Sequence, residues 1–173
     1  LGTVESNPLA RVGVIGMGAG TVAAYAGPGQ TFRFYELNPN VERIAREWFT
    51  FVPDMESRGA KFELALGDAR LSLEHEEPGN FDVLLLDAFS GDSVPVHLLT
   101  REAFELYLRH LKPDGIIAVH ITNHYLNLAP VVGRLAREFG LHTARIAKKA
   151  DRPGTQRTDY MLLSRDASFI KAH

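Results

Sequence analysis

Short apolar runs alternate with helix-like stretches along most of the chain. Val12–Ile15 reads as a buried parallel strand that breaks into Gly16-Met-Gly-Ala-Gly20, after which Thr21–Tyr25 starts a helix. Thr31–Glu36 alternates as a second strand, aromatic on one side. Asn38-Pro39 then supplies an asparagine cap and a first-turn proline, the start of a helix. Val41, Ile44, Ala45, Trp48 and Phe49 follow at the spacing of one apolar helix face. Lys61–Leu66 predicts a third strand, and Phe81–Asp87, nearly all apolar, a fourth and central one. Gly91 and Pro95 interrupt any regular structure behind it, and Thr100 caps a helix with the buried stripe Phe104, Tyr107, Leu108 and Leu111. Lys112-Pro-Asp-Gly115 predicts a turn, Ile116–Ile121 a fifth strand, and Pro130–Phe139 a helix ended by Gly140. Thr143–Ala147 and Tyr160–Ser164 close the chain as two strands joined by the polar loop 148–159. The expectation is a doubly wound α/β fold: a mostly parallel, Rossmann-like sheet covered on both faces, with an antiparallel hairpin at one edge. Residues 1–173 form one expected domain.

Composition narrows the class. A chain of 173 residues, 45% hydrophobic and 23% charged, is an ordinary globular one. Net charge −2 without a basic stripe argues against nucleic acid as a partner. Cysteine is absent, so disulfides, thiolate metal sites and a cysteine nucleophile are excluded. No apolar run approaches the roughly eighteen residues that a membrane span needs and no signal peptide is visible; the compartment stays open, with the cytoplasm as the default expectation. The chain begins with Leu1, as expected of a piece of something longer. His97, His120 and His124 lie on different elements without metal-ligand spacing, and no metal is expected. His120 reads as a strand residue satisfied in the core and His97 as a loop residue near the pocket. Ser90, Asp92 and His97 lack the G-x-S-x-G elbow of a hydrolase.

The chemistry centres on the glycine turn. Glycines between a strand and a helix let the backbone bend tightly and let a ligand approach without meeting a Cβ, which suits a nucleotide-like ligand. The same residues can also serve only to pack a helix on a strand. The spacing Gly16, Gly18, Gly20 is G-x-G-x-G, with Thr21 where the dinucleotide fingerprint has its third glycine. Ligands of such sheets lie beyond the carboxyl ends of the strands, where Glu36, Asp68 and Asp87 fall, with Asp92 on the following loop. Glu36 can accept both hydroxyls of a ribose, or be a solvated strand-end charge. Asp68 can accept an adenine amino group, or cap a helix over Ala69–Leu73.

Gly16-Met-Gly-Ala-Gly20, Phe34-Tyr-Glu36, Gly67-Asp-Ala-Arg70, Leu86-Asp-Ala-Phe-Ser-Gly-Asp92 and Leu111-Lys-Pro-Asp-Gly115 together resemble spermidine synthase-like proteins. These are polyamine aminopropyltransferases on the class I S-adenosylmethionine-dependent methyltransferase fold, and the resemblance runs from about Val12 to Leu163. It is strongest to a branch with members in longer, membrane-attached chains. The resemblance implies transfer of an aminopropyl group from decarboxylated S-adenosylmethionine to an amine, with methylthioadenosine leaving. Gly16, Gly18, Gly20, Glu36, Asp68 and Ala69 would bind S-adenosylmethionine or its decarboxylated form. Asp87 would be base and anchor for the amine, and Asp92 would hold the distal ammonium of a polyamine or other amine. Phe89 and Tyr125 would add cation–π contacts. A homodimer is left open. Three departures stand out. Ala19 replaces the family's aspartate, only about ten residues precede the first strand where the family has a hairpin, and Arg152–Gln156 alone matches its late substrate loop. The first keeps open methyl transfer to a small molecule, and the second a non-catalytic nucleoside- or polyamine-binding domain. The acids after the fourth strand favour a cationic acceptor.

Overall fold

The computed structural model describes residues 7–88, 95–149 and 157–168. The strands are β1 (Arg11–Ile15), β2 (Thr31–Glu36), β3 (Lys61–Leu66), β4 (Phe81–Leu86), β5 (Leu111–His120), β6 (His142–Lys148) and β7 (Thr158–Ser164). The helices are α1 (Pro39–Trp48), α2 (Phe51–Ser57), α3 (Ala69–His75), α4 (Arg101–His110) and α5 (Ala129–Glu138). The strands form one sheet in the order β3-β2-β1-β4-β5-β7-β6. Strands β1 to β5 run parallel, while β7 is antiparallel to both β5 and β6. The expected Rossmann-like α/β sheet with an antiparallel pair at one edge is therefore present, β6 being outermost. The strand order reverses between β1 and β4, which opens a crevice there.

Two apolar layers hold the sheet. Leu73 of α3, Phe104 and Tyr107 of α4, and Val132 and Leu135 of α5 pack on one face. Ala45 of α1 and Met55 of α2 pack on the other with Val12, Val14, Phe32 and Phe34. Each large side chain so buried contributes on the order of 1.5–3 kcal/mol. Local signals agree with the helix starts. Asn38 accepts from the Asn40 N–H at 3.0 Å with Pro39 in the first turn, and Thr100 accepts from the Ala103 N–H at 3.2 Å.

Several expectations are corrected. Thr21–Tyr25 is a five-residue 3₁₀ turn rather than the start of an α-helix. Of the apolar stripe on α1 only Ala45 is fully buried, and Trp48 is 79% exposed. Periodicity marks a face but not how much of it the sheet reaches, and the chain leaves the helix in extended form at Phe49. Helix α2 was not anticipated, because Pro53 near its start masks a short segment whose Met55 is fully buried. Residues 112–115, expected as a turn before the fifth strand, lie within β5 as an irregularity. Phe81 pairs with Leu111, but Val83 already pairs with Ile116. Among the described residues no helix is long and apolar enough to cross a membrane.

Candidate functional site

The crevice beyond β1, β2 and β4 is a cavity of about 550 Å³, within the usual range for small-molecule sites. Gly16 turns the chain at φ 91°, and a Cβ there would come within 2.6 Å of the Asp87 carbonyl oxygen. Gly18, at φ 50°, has nothing within 4 Å of a hypothetical Cβ, so it faces open space on the wall of the cavity. Gly20 is different. It does not line the cavity, and its Cα side abuts the Phe51 ring.

Glu36, only 9% exposed, ties the turn together. Its Oε2 accepts the Met17 N–H at 3.0 Å and its Oε1 the Asn38 N–H at 2.8 Å. A carboxylate has about four acceptor positions, so each oxygen keeps one for a hydroxyl hydrogen. That is the acceptor set a ribose diol requires, and the residues present fit an adenosine-type ligand. Asp68 carries the capping role considered for it and adds a contact to His97. Its Oδ1 caps α3 by accepting from the Leu71 N–H at 3.0 Å, and its Oδ2 lies 2.9 Å from His97 Nε2. Burial opposes its ionisation, but the Leu71 N–H and the His97 ring outweigh that and hold its carboxyl below the usual range. His97, with Pro95 and Leu98, lines the same cavity as Gly67, Asp68 and Ala69, so an adenine amino group would share Oδ2 with the imidazole.

Asp87 lies one residue beyond β4, where its N–H donates to the Ile15 carbonyl at 2.9 Å. Its Oδ1 is 2.6 Å from His120 Nδ1, and His120 Nε2 is 2.8 Å from Thr122 Oγ1. Because Thr122 Oγ1 accepts the Asp159 N–H at 2.8 Å, its own hydrogen is available to Nε2. The arrangement suits the Nδ1–H tautomer, with Nδ1 donating to the Asp87 carboxylate. Tyr160 stacks on the imidazole with centroids 4.5 Å apart. Burial, with Asp87 and Tyr25 adding to it, pushes the Tyr160 phenol up to about 12. His120 is thus not simply a satisfied core residue; it orients the predicted base.

A second cavity of about 660 Å³ opens past the end of β5, lined by residues of Ile121–Asn127 and by Arg145, Arg157 and Asp159. The Asp159 side chain, 3% exposed, accepts from Arg145 Nε at 2.9 Å and from Arg157 Nη2 at 3.0 Å. Arg145 first, then Arg157, hold its carboxyl below the usual range against burial. None of these three residues stood out in the sequence, since arginines in a polar tail carry no signal of their own.

Gly16, Gly18, Glu36, Asp68, Ala69 and Asp87 are brought to one cavity. Tyr125 is not; it is 82% exposed and lines neither cavity. Phe89 and Asp92, like Ser90 and Arg152–Gln156, fall outside the described residues. Among the described residues no three His, Asp or Glu side chains are grouped to hold a metal.

No family model matches the chain. A polyamine aminopropyltransferase of Vibrio vulnificus is 30% identical over 115 residues, 64% of this chain and 37% of that protein. An N-terminal histidine N-methyltransferase of Emericella nidulans is 31% identical over 108 residues, 62% of this chain and 19% of that protein. The chain spans about a third or less of the length of the curated relatives it matches. Spermidine synthase from Thermotoga maritima superposes with TM-score 0.70 at 16% identity, covering 97% of this chain and 58% of that one. Human methyltransferase-like protein 13 in complex with SAH gives TM-score 0.71 at 17% identity, covering 96% and 76%. The last two establish the fold alone. The chain therefore has the α/β fold shared by spermidine synthases and class I methyltransferases, and in sequence it resembles the polyamine aminopropyltransferases.

Proposed function

We propose that the chain binds decarboxylated S-adenosylmethionine in the cavity beyond β1, β2 and β4 and transfers its aminopropyl group to an amine. A polyamine is the acceptor that the relatives' names suggest. The observation that carries this reading is Asp87, a carboxylate on the cavity wall oriented by His120 at 2.6 Å. An amine is protonated near neutral pH and has no lone pair to attack with. Asp87 takes the ammonium proton on Oδ2 while His120 occupies Oδ1. The nitrogen pair then forms the C–N bond as the C–S bond breaks, sulfur keeps that bonding pair, and methylthioadenosine leaves. Glu36 holds the ribose and Asp68 the adenine, while Gly18 lets the ligand lie against the backbone.

Methyl transfer from intact S-adenosylmethionine is the second reading. Ala19 supports it, since no carboxylate stands there to meet an aminopropyl ammonium, and so does the methyltransferase among the relatives. Calorimetric titration with both cofactors and with methylthioadenosine, followed by product analysis with putrescine, separates the readings. Methylthioadenosine as product supports aminopropyl transfer, and S-adenosylhomocysteine methyl transfer. Asp87→Asn keeps the shape and removes the base, so the rate should fall roughly 10²–10⁴-fold while methylthioadenosine binds nearly as before. Absence of binding by all three nucleosides, or an Asp87→Asn variant at the parental rate, overturns the proposal.

A further inference from the structure

We propose that the second cavity, between the end of β5 and the β6–β7 pair, seats an oxyanion carried by the acceptor amine. This rests on Asp87 as the point of transfer, and in place of the plain polyamine suggested by the relatives' names it assigns the acceptor as an amine bearing a carboxylate or phosphate.

Position is the first argument. Thr122 lines this cavity, and its Oγ1 is one hydrogen bond from His120 Nε2, whose Nδ1 contacts Asp87 on the wall of the nucleoside cavity. One imidazole bridges a residue of each cavity, Asp87 of the first and Thr122 of the second. An acceptor nitrogen presented to Asp87 can therefore extend its remaining atoms toward Arg145 and Arg157.

Charge is the second. Two guanidiniums converge on one buried carboxylate, Asp159, so the wall carries a surplus positive charge. Arg145 spends its fork on Asp159 through Nε and Nη2, whereas Arg157 spends one Nη2. The other N–H groups of Arg157 have no partner among the described residues, and they form the planar set of donors that matches a carboxylate or phosphate. Asp159 also fixes where the guanidiniums stand, which spares the ligand that ordering. The acid on this wall is already neutralised by two guanidiniums that take three of its roughly four acceptor positions, so the distal ammonium of a diamine would meet net repulsion there.

The experiment uses protein saturated with methylthioadenosine and calorimetric titration of two matched pairs: ornithine against putrescine, and phosphoethanolamine against ethanolamine. The acid-bearing member of a pair should bind at least tenfold more tightly. The pair that shows the preference identifies carboxylate or phosphate as the source. Arg157→Gln should reduce that preference about tenfold, and Arg157→Lys, which keeps the charge but not the fork, should fall between. Arg157 is exposed enough for both variants to fold, which a far-UV spectrum checks. Equal or tighter binding of the plain amines, no binding by any of the four, or a preference that survives in Arg157→Gln overturns the proposal. If methylthioadenosine itself fails to bind, the nucleoside reading fails instead, and the same pairs titrated without it still decide the charge preference of the cavity.

Discussion

Glu36→Gln removes one charge and changes nothing in side-chain size. In the parent, two oxygens accept two backbone N–H groups, from Met17 and Asn38, in a position 9% exposed. Glutamine offers one oxygen, and its amide nitrogen is a donor that would face one of those N–H groups. An unpaired buried donor costs about 1–3 kcal/mol, so the urea midpoint should fall accordingly. A ligand hydroxyl loses a charged acceptor, worth about 1.5–3 kcal/mol. At 1.4 kcal/mol per factor of ten, methylthioadenosine should bind roughly 10- to 150-fold more weakly. The titration is made well below the variant's unfolding transition, so that a loss of affinity is not a loss of folded protein. Glu36→Asp keeps the charge but shortens the reach, and should lie between parent and Gln. A folded Glu36→Gln variant with parental affinity would refute the ribose assignment, even if its stability had dropped as expected.

Gly18→Val places a Cβ in the open space of the cavity and a β-branched residue at φ 50°, strain of order 1–3 kcal/mol. Nucleoside binding should disappear while the far-UV spectrum stays folded, and a binding-competent variant would mean that the turn serves packing alone. Asp68→Ala removes the cap of α3 and the His97 contact, a cost of about 1 kcal/mol at neutral pH. Because the folded carboxyl lies below its usual value, the contribution is present above the ordinary carboxylate range. It should fade as pH falls through the depressed value. Urea midpoints of parent and variant should converge in acid; a gap that widens there would exclude this assignment.

The sheet was legible in the sequence because its signals were local. Glycine and proline bracketed short apolar runs, and β4, nearly continuous in apolar residues, turned out to have β1 and β5 as neighbours. The acids were legible for the same reason, each standing at a strand end. What period alone missed was whatever depends on reach. Trp48 falls in phase with Ala45 yet is exposed, and Pro53 hid helix α2 by its usual meaning as a breaker. The partners of the acids were hidden more deeply. His97 comes to Asp68 from 29 residues away, and Arg145 comes to Asp159 from the neighbouring strand, so neither pair has a spacing to recognise.

The Asp87–His120 contact belongs to a different category, because the topology contains it. Strands β4 and β5 are parallel neighbours whose register pairs Leu86 with Val119. The next positions along the two strands are Asp87 and His120, side by side at the carboxyl ends. On the far side β7 is antiparallel, and its register sets Tyr160 against His120, where the rings stack. A shift of one residue would turn each side chain to the opposite face of the sheet and separate all three. That register is set where Phe81 pairs with Leu111 and Val83 with Ile116, so residues 112–115 are taken up as an irregularity within β5. The Lys112-Pro-Asp-Gly115 stretch that reads as a simple turn therefore acts at a distance: it fixes which residue of β5 stands beside Asp87.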